Sequence, residues 1–250
     1  AAVFCADTSP GLEQVLYREL SRCHGVAGVL AGGQVFFKWP SKRPLALHSA
    51  SRVFSVFELV ARSDVLAMVG NSGSDGTYPA LSSFTKAAVQ TGLRDALPPA
   101  LQDVAGGGEG SRPLRFGLQC LHAEGVDAVF GSGARPAVLA QAVRRGVSSA
   151  LGWTPDDGDS EVQLACFVGT AYVAFGVEVD VEAAVNGFPR AGRFPWSSVP
   201  DLGMQAHLAG AMAALALEEA TARGRGGEGE APCVVVDPSC GSGALLLAAA

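Results

Sequence analysis

Apolar positions change their spacing several times along this chain, and each change marks an element. Val3, Phe4 and Cys5 run together in "AVFCA" (2–6), a short strand. Thr8, Ser9, Pro10 and Gly11 then supply turn chemistry. After them Leu12, Val15, Leu16 and Leu20 recur on one face of a helix through "TSPGLEQVLYRELSRC". The pair Gly32 and Gly33 followed by Val35, Phe36 and Phe37 reads as a turn and a strand. Across "PLALHSASRVFSVFELVARS" the pattern predicts a helix as far as Ser51 and then a strand over "VFSVFELVA".

Small-residue stretches at 70–77 and 105–111 have turn chemistry and no period, so they read as loops. Between them "PALSSFTKAAVQTGLRDALPPAL" carries a weak helical pattern, and "RPLRFGLQCLH" resumes a strand. The clearest helix is "SGARPAVLAQAVRRGVSSALGW", where Val138, Leu139, Ala142, Val143, Val147 and Leu151 share a face. "EVQLACFV" and "AYVAFGVEV" flank Gly169-Thr170, which predicts a hairpin with a two-residue bend there. Pro189, Pro195 and Pro200 make 186–201 a loop. A helix follows in "GMQAHLAGAMAALALEEA", with Leu208, Ala211, Met212 and Leu215 along one side. "RGRGGEGE" is a charged glycine linker, and "CVVV" is a continuous apolar strand suited to the buried middle of a parallel sheet. The pattern thus predicts mixed α+β structure over about the first 180 residues and a new α/β unit from near residue 232.

Composition changes this picture in three places. No apolar run reaches the roughly 18–20 residues of a membrane span, so no membrane partner is expected. Six cysteines, at 5, 23, 120, 166, 233 and 240, form no CxxC pair and no Cys/His metal spacing. They read as reduced core thiols, with no metal site, in a reducing compartment and hence a cytoplasmic location. The formal charge of −6 speaks against bulk nucleic-acid binding, but its distribution is uneven. From Leu20 to Phe57 there is no acid, while Arg22, Lys38, Lys42, Arg43 and Arg52 are basic; Asp156, Asp157, Asp159 and Glu161 form an acidic cluster later. The chain opens on Ala1 and closes inside an apolar pattern, so it is expected to be a piece of a longer protein.

The terminal "VVVDPSCGSGALLLAAA" (234–250) holds the sharpest chemistry. A strand, Asp237, and then Gly241 and Gly243 at a helix mouth make a nucleotide-type cradle. Glycine permits close backbone approach, and free amides at a helix start face the ligand. A P-loop requires Gly-Lys-Ser/Thr, and no lysine follows Gly243. The dinucleotide fingerprint requires a third glycine where Leu246 stands. An acidic strand end without a phosphate-binding lysine fits a ligand that is not a polyphosphate, such as S-adenosylmethionine.

This string resembles the S-adenosylmethionine-binding motif of RNA guanosine-N2 methyltransferases that carry a THUMP domain, in which D-P-x-C-G-[ST]-G is common. Other segments are similar to that family in the expected order. "FCADTSPGLEQVLYREL…GGQVFF" resembles its N-terminal ferredoxin-like segment, and "LHSASRVF" the opening of its THUMP region. "LRFGLQCLHAEGVDAVFGSGARPAVLAQAVRRGV" and the 162–179 hairpin resemble the later THUMP half. "GFPRAGRFPWSSVPDLGMQAHLAGAMAALA" resembles the connector to the catalytic domain. Ala244 stands where threonine is common, Ala248 where glutamate is usual, and Val138 and Gln141 where relatives often place lysine. The family's Asn/Asp-Pro-Pro-Tyr/Phe segment, which holds the target amine, is absent from the 250 residues.

The resemblance implies an α+β N-terminal half, ferredoxin-like plus THUMP, followed by the start of an α/β Rossmann-like methyltransferase domain. Its parts would be a ferredoxin-like segment at 1–44, a THUMP domain at 45–180, a connector loop and helix at 181–231, and the start of the catalytic domain at 232–250. It implies methylation of the exocyclic amine of guanosine in structured RNA, tRNA first, with S-adenosylmethionine as cofactor and room for a small activating protein subunit. Asp237, Pro238, Cys240, Gly241, Ser242 and Gly243 would hold the cofactor, Cys240 as small-volume packing rather than a nucleophile. Arg115, Arg135, Arg144, Arg145, Arg190 and Arg193 would contact RNA, and catalytic residues are expected beyond residue 250. The chief alternative is a non-catalytic RNA-binding adaptor with an incomplete methyltransferase half; an rRNA-directed methyltransferase differs only in substrate.

Overall fold

The computed structural model of the chain describes residues 3–24, 28–31, 33–39, 47–70, 78–97, 101–102, 113–122, 136–169, 171–179, 206–224 and 236. These residues divide between two compact units. One comprises Ala1–Cys5 and Phe54–Val179, the other Ala6–Val53 and Asp180–Ala250.

In the larger unit the strands β4 (Arg52–Ala61), β5 (Arg115–His122), β6 (Thr154–Pro155), β7 (Val162–Val168) and β8 (Tyr172–Val179) form a sheet in the order β4-β8-β7-β5-β6. The sheet is mixed, with β5 parallel to both β6 and β7 and β7 antiparallel to β8. Six of the seven residues of β7 are buried, the near-continuous apolar run of a strand covered on both faces. On one face lie α3 (Pro79–Ala88), which runs on through a π turn (Val89–Leu93) into α4 (Arg94–Ala96), and α5 (Pro136–Leu151). Leu81, Val89 and Leu93 from the first run and Leu139, Val143 and Val147 from α5 share a core with Phe116, Leu164 and Phe175. Gly146 permits the helices to meet: a Cβ there would lie 2.7 Å from Thr85 Cβ. On the other face Phe54 meets Phe167 edge-on, with ring centroids 4.8 Å apart. A further helix, α2 (Arg62–Gly70), follows β4 directly, and its first N–H donates to the carbonyl of Ala171 at 3.0 Å.

Strand β1 (Val3–Asp7) divides between the units, Val3–Cys5 in the larger and Ala6–Asp7 in the smaller, where β2 (Gly28–Ala31) and β3 (Gln34–Lys38) form an antiparallel pair. Helix α1 (Glu13–His24) packs on β2 and β3, burying Val15, Leu16 and Leu20 as its spacing predicted. Glu13, in the first turn, accepts hydrogen bonds from the N–H groups of Gly11 at 2.9 Å and Gly33 at 2.6 Å. This fixes the helix start against the turn that opens β3, and places an acid where the helix dipole favours one. Helix α6 (Ala206–Gly224) lies against α1.

Several expectations need correction. Described residues 47–51 are extended or bent, not helical. The cause is long-range: Glu19 binds the backbone N–H groups of His48 and Ser49, which a helix would use internally. The hairpin closes with the Gly169 N–H donating to the Tyr172 carbonyl at 2.9 Å, so its bend begins after Gly169, one residue later than expected. Helix α6 turns Ala209, Gly210, Ala211 and Ala213 inward; of the expected stripe Ala211 is buried and Leu208 half-buried, but Met212 is 45% and Leu215 41% exposed. A Cβ at Gly210 would stand 2.4 Å from the His48 carbonyl oxygen, so only a small-residue face can make this approach. Val236, from the expected buried strand "CVVV", has no strand assignment and is 77% exposed. The other residues of that string, 233–235, lie outside the described residues. Strands β2 and β6 and helix α2 were not anticipated.

Candidate nucleic-acid interface

Of the six arginines expected to meet RNA, Arg115, Arg144 and Arg145 lie in the larger unit. Arg135, Arg190 and Arg193 lie outside the described residues. Arg115 opens β5 and points at the loop joining β6 to β7. Its guanidinium pairs with Asp159 and stands 3.9 Å from carboxylate oxygens of both Asp156 and Glu161. The backbone reinforces this junction. The Glu161 N–H donates to the Arg115 carbonyl at 2.8 Å, and the Arg115 N–H donates to the Glu161 carboxylate at 3.2 Å. Arg144, on α5, pairs with Asp157, whose other oxygen accepts the Leu118 N–H at 3.2 Å. Asp156 shapes the turn by accepting the N–H groups of Gly158 at 3.0 Å and Asp159 at 3.1 Å.

The acidic cluster is therefore the partner of the arginines rather than a separate solvated run. Its four carboxylates fasten the loop to β5 and α5, and they satisfy two of the three described candidates. Arg145 differs. It is exposed on α5 between Gln141 and Ser149, which are also exposed, and makes no ion pair with a described residue. This outward face carries one cation and no acid, so Arg145 is the described candidate whose charge is available to a phosphate.

The smaller unit neutralises part of the acid-free stretch that begins at Leu20. Arg18 and Arg22 both pair with Glu218 of α6, Arg18 at 3.1 Å. The polar residues that matter most locally were not singled out by sequence. The Glu19 carboxylate, only 10% exposed, accepts the His48 N–H at 2.6 Å, the Ser49 N–H at 2.9 Å and the His48 ring Nδ1 at 3.0 Å. Burial alone would lift the Glu19 carboxyl, but these hydrogen bonds outweigh it and hold the group below its ordinary value. The bond to Glu19 raises the His48 imidazole above its ordinary value, against the effect of burial. Thr8 Oγ1 donates to the Ser49 carbonyl at 2.7 Å, and Ser51 donates from both N–H and Oγ to the Asp7 carbonyl. Burial raises the Asp7 carboxyl, opposed by the Ser51 hydrogen bond and the Arg52 charge. Residues 48–51 are thus tied down by Asp7 and Thr8 at the end of β1 and by Glu19 of α1. Glu19 has one cue in sequence: it is a charged residue one step before the buried Leu20.

The residues expected to hold the cofactor, Asp237, Pro238, Cys240, Gly241, Ser242 and Gly243, lie outside the described residues. Among the described residues no group of His, Cys, Asp and Glu is arranged to hold a metal ion, and no helix is long and apolar enough to cross a membrane.

No family model matches the chain, and no curated protein matches it. Solved structures do. A structure described as a predicted N6-adenine-specific DNA methylase from Listeria monocytogenes str. 4b F2365 matches 99% of this chain with 54% of its own, at TM-score 0.56 and 19% identity. TrmN from Thermus thermophilus matches 89% of this chain with 55% of its own, at TM-score 0.52 and 20% identity. SMU.472, a putative methyltransferase complexed with SAH, matches 99% with 54%, at TM-score 0.53 and 18% identity. The chain spans about half the length of these solved structures. At such identities the likeness is one of fold, and the chain has the fold that these methylase structures carry over the matching half of their length.

Proposed function

We propose that this chain serves an S-adenosylmethionine-dependent enzyme that methylates the exocyclic N2 amine of guanosine in structured RNA, with tRNA as substrate. The observation that carries this reading is the D-P-S-C-G-S-G string of residues 237–243, which follows an apolar run and lacks the lysine of a phosphate loop. The fold likeness to methylase structures, one of them complexed with SAH, supports it. SAH is what remains of the donor after its methyl group has left. In this reading residues 1–44 form a ferredoxin-like segment, 45–180 a THUMP domain, 181–231 the connector, and 232–250 the opening of the catalytic domain. Asp237 to Gly243 hold the donor, whose sulfonium supplies an already electrophilic methyl group. The protein's task is positioning. The arginine-bearing half anchors the RNA through its backbone, with Arg145 as the first phosphate contact, and the target base leaves its stack at a cost of a few kcal/mol.

The test is incorporation of labelled methyl from S-adenosylmethionine into tRNA, rRNA and DNA by the intact protein, followed by nucleoside analysis. N2-methylguanosine in tRNA is expected; N6-methyladenine as the product would overturn the reading. The 250-residue chain alone is expected to transfer no methyl group. The alternative is a non-catalytic RNA-binding adaptor with an incomplete methyltransferase half. RNA binding by the intact protein with no methyl transfer to any substrate would select that alternative.

A further inference from the structure

Cys120 on β5 and Cys166 on β7 are register partners in the parallel pair. Parallel neighbours stand about 4.8 Å apart and direct their side chains to the same face of the sheet. Here that is the face covered by α3 and α5, where Cys166 belongs to the core and Cys120 packs against its edge. A separation of that size falls within the roughly 4.4–6.8 Å that a disulfide spans between Cα atoms. Both residues are reduced, Cys166 fully buried and Cys120 partly exposed. Their surroundings also divide the two roles a disulfide-forming pair needs. The hydrogen bond from Cys166 lowers the Cys120 thiol against burial, with Arg144 adding to the effect, while burial pushes the Cys166 thiol up.

We propose that Cys120 and Cys166 form an oxidation site, at which a small peroxide oxidises Cys120 and Cys166 then closes a β5–β7 disulfide. In the first step the Cys120 thiolate attacks one peroxide oxygen. An S–O bond forms, the O–O bond breaks, and the departing oxygen takes a proton from solvent; the sulfur loses two electrons to the peroxide. In the second step the Cys166 sulfur attacks the Cys120 sulfenic sulfur. An S–S bond forms, the S–O bond breaks, and the Cys166 proton leaves with the hydroxide as water. With hydrogen peroxide the sum is two thiols plus peroxide giving one disulfide and two waters. The pair sits at the exposed edge of a core, so a dithiol reductant reopens it. Neither thiol takes part in the proposed methyl transfer, and the inference stands apart from that reading.

Treating the folded chain with hydrogen peroxide and mapping its tryptic peptides under non-reducing conditions tests the site. Cys120 lies in peptide 116–144 and Cys166 in 146–190, so the disulfide appears as their cross-link, with the loss of two thiols and two hydrogens of mass. Cys166→Ser is expected to halt at the Cys120 sulfenic acid, which dimedone captures, and Cys120→Ser to leave Cys166 reduced. In untreated protein Cys120 is expected to alkylate at least about tenfold faster than Cys166. Absence of the cross-link in folded wild-type protein, or equal alkylation of the two thiols, overturns the proposal. Both readouts use the unmodified chain, so a variant that fails to fold does not decide the matter.

Discussion

Helices α5 and α6 have similar lengths and similar shares of apolar residues, yet they use them in opposite ways. Helix α5 buries its large side chains, Leu139, Val143 and Val147, against α3 and the sheet. Helix α6 buries Ala209, Gly210, Ala211 and Ala213, and turns Met212 and Leu215 outward. The difference lies in the neighbour. A surface of side chains offers holes for large residues to fill, whereas the His48 carbonyl beside α6 is backbone and admits only a face with no Cβ at the point of contact. Helical spacing locates both helices, but the neighbour decides which face turns inward.

The largest effect is expected where α5 fills its hole. Leu139→Ala should lower the unfolding free energy by about 3 kcal/mol in a denaturant titration, through lost burial and a cavity. A loss below about 1 kcal/mol would mean the site collapses around the gap. Next comes the close approach of α6. Gly210→Ala should cost roughly 1–2 kcal/mol, because crowding of about 2–3 kcal/mol exceeds the gain of about 1 kcal/mol in helix propensity. A stabilised Gly210→Ala protein would show that propensity wins and that the contact has slack.

Glu19→Gln should cost about 1–2 kcal/mol, since the amide nitrogen faces a backbone donor it cannot accept from. The Glu19–His48 pair also gives stability a pH window. His48 has a raised folded pKa, so its contribution is full below the unfolded histidine value and is lost as pH rises through the folded one. Glu19 has a lowered folded pKa, so its contribution is present above the unfolded glutamate value and is lost as pH falls through the folded one. The pair's contribution should therefore be flat between about pH 4.3 and 6.5 and decline on both sides, as read from the difference in unfolding midpoints between wild type and the Glu19→Gln and His48→Gln variants. His48→Gln should flatten the alkaline side. An unchanged alkaline limb would assign that limb to another group.

The smallest effects concern surfaces. Leu215→Ser should change stability by less than about 0.5 kcal/mol, in contrast with Leu139→Ala. For RNA binding, Arg145→Ala should reduce the salt slope of log affinity by about one, and Arg144→Ala by less, because Asp157 already neutralises Arg144. Equal losses would mean that RNA displaces Asp157.

Elements with an uninterrupted side-chain period were legible in the sequence. These are α1, β5, α5 and the two strands of the β7–β8 hairpin, where Val15, Leu16, Leu20, Leu139, Ala142, Val143 and Val147 are buried on the faces that the spacing marks and β7 and β8 are buried nearly throughout. Helix α2 was not. After Arg62, Ser63 and Asp64 its apolar residues, Val65, Leu66, Ala67, Met68 and Val69, form one unbroken run with no helical period to announce the helix. The conformation of 47–51 was illegible because it depends on Glu19, some thirty residues away. The acidic cluster was visible as composition, but its pairing with Arg115 and Arg144 arises only when β5, α5 and the 156–161 loop come together. The terminal glycine string can be read as chemistry alone, because residues 237–250 lie outside the described residues.

Whether that string holds S-adenosylmethionine is decided by titration calorimetry on the intact protein. Saturable heat from one site per chain is expected, and Gly241→Val should abolish it. No heat with the unmodified protein, or an unchanged isotherm with Gly241→Val, would contradict the assignment of residues 237–243 to the methyl donor.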